Sequence, residues 1–159
     1  MALFKRFGTV LAGTALMATA ALAASHMDPA AEKAVKARQS HMTLYSFNIA
    51  TLGGMAQDKM PYDAEAAGRA ATNLAALASI DQTGYWVEGT DAGTIEGTKA
   101  KAEIWSNMAD FEEHEQTLAT ATAALAEVAG TDLDSLKAAF GDVGKACGSC
   151  HEDYRVSDK

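Results

Sequence analysis

Apolar residues along this chain recur in alternating steps of three and four, the spacing of one helical face, in four stretches separated by turn signals. Asp28-Pro29 supplies an N-cap with proline at the first helical position. Val35, Arg38, Met42, Tyr45, Ile49 and Leu52 then keep the rhythm to Gly53-Gly54 or a turn beyond. After Met60-Pro61-Tyr62, Asp63 caps a second, alanine-rich helix whose seam is Ala67, Ala70, Leu74 and Leu77, ending near Ser79. Residues 80–98 hold Gly84, Gly89, Gly93 and Gly97 with no helical period and predict a long connection. Thr98 is the expected cap of a third helix, with stripe Ile104, Met108, Phe111, Leu118 and Leu125, interrupted at Glu115 and closed by Gly130. Thr131 with Asp134 three residues on resembles a capping box and opens the fourth helix. Its stripe runs Leu133, Leu136, Phe140, Val143, Cys147, Cys150, Tyr154. Strand signals are nearly absent. Four amphipathic helices with two short connections and one long one predict an all-α, antiparallel up-down-up-down four-helix bundle.

The N-terminus breaks the amphipathic pattern. Lys5 and Arg6 precede a long apolar run rich in small residues that ends in Ala21-Leu22-Ala23, the layout of a secretory signal peptide over residues 1–23, with cleavage near Ala23. Residues 24–159 are then one domain, long enough for a real core and too short for two. Cleavage removes two basic residues and no acidic ones, so the formal charge moves from −8 to −10. So acidic a chain is a poor match for nucleic acid and suits a redox partner protein with a basic patch. The mature form has no second apolar run able to span a bilayer, and a soluble periplasmic protein is expected.

Only two cysteines are present, and they stand in Cys147-Gly148-Ser149-Cys150-His151, the C-x-x-C-H pattern of c-type haem attachment. On a helix, cysteines three apart share a face, and a histidine four beyond the first presents its imidazole on the same side. A thioredoxin-like redox pair would sit at a helix N-terminus after a strand, whereas this pair lies near a helix C-terminus. A zinc site needs further ligands, and His26, His41 and His114 are scattered without ligand spacing. A disulfide between cysteines one turn apart is poorly placed and leaves the adjacent histidine unexplained.

The ending Cys150-His151-Glu152-Asp153-Tyr154-Arg155 is similar to the C-H-x-x-[FY]-R ending of class II cytochromes c, the group of cytochrome c′ and its low-spin relatives. Arg38-Gln39 followed by Met42 resembles that family's R-Q-x-x-[LM], and Ile104-Trp105 with Phe111 matches another of its segments. The resemblance covers the mature chain and implies one covalently attached haem c, thioether-bound through Cys147 and Cys150, with His151 as axial ligand. It also implies Arg38 and Gln39 on the propionate side, with the stretch around Thr98 a weaker candidate, and dimerisation through the first two helices.

Arg38 could alternatively snorkel to solvent from the bundle's end, and Arg155 could either shield the haem edge or form an exposed ion pair. Met42 is either the second iron ligand or a filler of the distal pocket; the residues leave both open, while Leu52 to Asp63 looks more like the low-spin relatives. Tyr45 and Ile49 are expected as core, His41 and His114 on the surface, and Trp86 and Trp105 as packing aromatics. Electron transfer is the primary expectation and binding of nitric oxide or carbon monoxide the alternative. A peroxidase is disfavoured, because the first helix offers no distal acid-base group except His41.

Overall fold

The computed structural model describes residues 27–157, so the expected signal peptide lies outside the described residues. Helix α1 runs Pro29–Ala56, α2 Ala64–Ala78, α3 Glu103–Ser106, α4 Met108–Val128 and α5 Leu133–Tyr154. The four long helices form the expected bundle: α1 packs on α2, α2 on α4, α4 on α5, and α5 meets α1 most sparingly. Among the described residues the one β feature is an isolated bridge between Ala100 and Arg155, and no helix is long and apolar enough to cross a membrane.

Helix ends follow local chemistry. Asp28 accepts from Ala30 N and Asp63 from Ala66 N, both with the side-chain oxygen an N-cap requires, and Ser79 ends α2. Two expected caps move. Thr98 does not open the third helix, because its hydroxyl accepts from Arg38 at 2.8 Å. The chain runs on to α3 and then breaks at Asn107, whose φ of −131° and ψ of 43° leave the helical region before α4. At α5 the cap is Asp132 and not Thr131. The aspartate accepts from Ser135 N at 2.8 Å, while Thr131 donates its hydroxyl to Val128 O and satisfies a free carbonyl at the end of α4.

The main core is aliphatic. Leu52 and Met55 of α1, Ala67, Ala71 and Leu74 of α2, Leu125 of α4 and Leu136 and Val143 of α5 are almost wholly enclosed. Small residues let α2 approach the α4–α5 turn: a Cβ on Gly130 would sit 3.1 Å from Ala64 O. A second cluster gathers Ile104, Phe111 and Tyr154 with Trp86, Trp105, Met108 and Cys150 at the C-terminal end of α5. The linker is clasped onto that end, Lys101 N donating to Tyr154 O and Val156 N to Lys99 O.

Candidate haem site

The inward stripe of α1 is Arg38, His41, Tyr45, Asn48 and Leu52, all buried, at spacings of three and four. It is rotated from the expected stripe. Met42 is 40% exposed, whereas His41 is only 4% exposed, which corrects its expected surface position. The reason is aromatic: the His41 ring meets Tyr45 edge-on at 4.6 Å and Tyr85 of the linker at 5.8 Å. Burial holds its pKa below the ordinary histidine value, with a contact to the Leu77 backbone opposing.

Arg38 is buried and donates to Thr90 Oγ1 at 2.7 Å, Thr90 O at 2.5 Å and Thr98 Oγ1 at 2.8 Å, while its guanidinium lies 5.2 Å from the Trp86 ring centre. It does not snorkel. These partners are neutral oxygens, and burial lowers its pKa. Gln39 stays exposed, donating to Gly97 O at 2.7 Å. From Trp86 a ladder of edge-to-face rings leads through Phe111 at 4.6 Å to Tyr154 at a further 5.3 Å, joining linker, α4 and α5. Trp105 donates its indole N–H to Trp86 O at 2.9 Å, so both tryptophans pack the linker as expected.

His114, also expected on the surface, is instead partly enclosed between α4 and α5. Its Nε2 lies 3.4 Å from Asp153 and 3.7 Å from Asp110, and its ring meets Tyr154. Asp110 in turn accepts from the Tyr154 hydroxyl. The run Glu112-Glu113-His114-Glu115 reads as a solvated face, but the helical turn aims the histidine at the last turns of α5.

Cys147 and Cys150 lie on the penultimate turns of α5, unjoined and half-buried, one against each core cluster. Burial pushes both thiols up. Cys150 reaches about 12, with the charge of Glu115 the next cause. Such thiols are the reverse of the acidic ones of a thiol-disulfide exchange centre. His151 lies open to solvent in part, its pKa lowered by desolvation and by Arg155. Among the described residues no three His, Cys, Asp or Glu side chains gather as a metal cluster.

Sequence reasoning did not reveal that four buried polar atoms lack partners among the described residues: His41 Nε2, Tyr45 Oη, Gln82 Oε1 and Trp86 Nε1. Tyr45 belongs to the cluster that Cys147 packs on, and Trp86 to the one that Cys150 packs on. Burial pushes the Tyr45 hydroxyl up to about 12, with Glu115 adding to the rise. Each such atom costs about 1–3 kcal/mol, a heavy load on a domain stable by about 5–15 kcal/mol. A flat, largely apolar group with polar edges, fixed at the two sulfurs, suits this lining of aromatic faces and unpaired polar atoms, and its carboxylates suit the buried guanidinium of Arg38. The residues therefore fit a haem.

The family model described as Cytochrome C' matches residues 33–155. Cytochrome c-554 of Cereibacter sphaeroides is 43% identical over 127 residues, which cover 80% of this chain and 83% of that protein. Cytochrome c' of the same organism is 41% identical over 143 residues, covering 89% and 96%. The solved cytochrome c' from Rhodobacter Spheriodes aligns with a TM-score of 0.78 at 39% identity, covering 80% of this chain and 98% of that one.

Proposed function

We propose that this chain, which belongs to the cytochrome c′ family, carries single electrons between proteins of the periplasm. Membership makes it a haem-binding c-type cytochrome with one covalently attached haem per chain, a carrier and not an enzyme. In our reading Cys147 and Cys150 hold the haem by thioethers and His151 is its axial ligand. The observation that carries this is a C-x-x-C-H on the last turns of α5, packed in the same clusters as Tyr45 and Trp86, whose buried polar atoms lack partners.

When bound, the haem supplies an iron that changes by one charge between its two states. The surrounding residues set how. A lowered pKa leaves the His151 imidazole neutral, with a lone pair to give. Arg38 and Gln39, already fixed by Thr90, Thr98 and Gly97, offer N–H groups to the propionate side. Met42, one turn beyond Arg38, is exposed and belongs to neither core cluster. As second axial ligand it would raise the potential and keep the coordination shell constant through the redox cycle.

That same exposure favours the second reading, in which Met42 only borders an open sixth position that takes nitric oxide or carbon monoxide. The reduced absorption spectrum separates the two. Sharp α and β bands indifferent to carbon monoxide support ligation by Met42, and broad bands that shift with the gas support the open position. A low-spin spectrum unchanged in Met42→Ala would exclude Met42 as the ligand.

Residues 1–23 would direct export, and the acidic mature chain would meet a partner bearing a basic patch. Leu44 and Phe47 on α1 are 51% and 71% exposed, which supports a homodimer through α1 and α2.

A further inference from the structure

Glu115 is the one acid on the inward stripe of α4, between Phe111 one turn before it and Leu118 one turn after. It lines a cavity of about 340 Å³ between the end of α2, the linker and α4, together with Gln82 and Trp86, two of the side chains whose polar atoms have no partner. Trp86 and Met108, which line the same cavity, also pack in the cluster that holds Cys150. The carboxyl therefore lies at the end of the bundle that carries the cysteines.

We propose that Glu115 couples proton uptake to electron uptake: its carboxylate takes one proton from solvent as the iron takes one electron from a donor protein. This rests on the haem reading above. The balance is one electron and one proton in, ferric iron to ferrous and carboxylate to carboxylic acid, with net charge in the site unchanged. In a poorly hydrated site an added negative charge is costly, and a nearby group able to neutralise it lowers that cost.

The groups around Glu115 favour the neutral form. Desolvation pushes its carboxyl above the ordinary glutamate range, and Glu112 on α4 and Asp81 in the linker push the same way. Trp86 Nε1 approaches without completing a hydrogen bond and opposes them in part. From α1 it is faced by Tyr45, whose hydroxyl is held neutral by a pKa of about 12, and Cys150 on α5, once a thioether, carries no charge. His114, one residue earlier, turns instead to Asp110 and Asp153.

The test is a spectroelectrochemical titration of the haem-loaded protein from about pH 4 to about pH 8, bracketing the ordinary carboxylate range upward. The wild-type potential is expected to fall with rising pH over a window above that range, approaching a tenfold change in redox equilibrium per pH unit, or about 59 mV. Glu115→Gln is expected to abolish that window and to stay near the wild-type acid limit. Glu115→Asp is expected to keep a window at a changed pH. Proton uptake during reduction of unbuffered protein, followed with an indicator dye, should be lost in Glu115→Gln. A flat wild-type potential, or a window and proton uptake that survive in Glu115→Gln, overturns the proposal while leaving haem attachment intact. A purified protein whose mass contains no haem overturns both.

Discussion

The two ends of this bundle solve the burial problem in opposite ways. Around Leu52, Leu74, Leu125 and Leu136 the helices close on one another with aliphatic side chains that have no polar atoms to satisfy. Around Arg38, His41, Tyr45, Gln82 and Trp86 the same helices bury a guanidinium, an imidazole, a phenol, an amide and an indole, four of them with an atom left unpaired. The first end is complete as protein. In the proposed reading the second is completed by a haem held at Cys147 and Cys150. Stability and function are therefore divided along the length of shared helices, and substitutions should separate them.

The largest effect tests whether the polar end depends on the cofactor. Cys147→Ala with Cys150→Ala should abolish covalent haem, seen as loss of its mass and of the red colour of the denatured protein, and should lower the melting temperature. An unchanged melting temperature would make the polar end self-sufficient and erase the contrast. Next, Leu74→Ala at the aliphatic end should cost about 2–5 kcal/mol in denaturant unfolding while leaving haem content and spectrum unaltered. A changed spectrum there would mean the ends are not separable. Arg38→Ala, which frees the oxygens of Thr90 and Thr98, should cost about 1–3 kcal/mol and lower haem incorporation as well, the joint signature expected only of the polar end.

The smallest effect is a pH dependence. Glu115 has its folded-state carboxyl raised above the unfolded value. Its neutral form thus contributes stability that is fully present below the unfolded value and is lost as pH rises through the folded one. Glu115→Gln should therefore melt higher than wild type at about pH 8 and nearly with it at about pH 4. A difference that grows toward acid would reverse the assignment of its environment.

The aliphatic end was the easier to read from sequence. Asp63, Ser79 and the seam from Ala67 to Leu74 carry their own signals, since caps and apolar period are local properties. The haem motif was equally plain, because its spacing is the chemistry. What escaped the reading depends on contacts between distant segments. His41 is buried because Tyr85, far along the chain, covers it, and the linker residue's position has no signature in the first helix. Thr98 lost its capping role to Arg38 for the same reason. At Thr131 the difficulty was local competition, two candidate caps in succession, of which the aspartate engages the helix and the threonine the carbonyl behind it.

The clasp of residues 99–101 over residues 152–156 joins segments about fifty positions apart with two backbone hydrogen bonds, the pair that makes the Ala100–Arg155 bridge, and two more from Lys101 Nζ to Glu152 O and Asp153 O. Ring closure over such a length is entropically expensive, while the reward is a few bonds at the molecule's margin. That latch should be among the last parts to form and the first to open. The final turns of α5 should thereby stay open longest in a molecule whose opposite end is already packed.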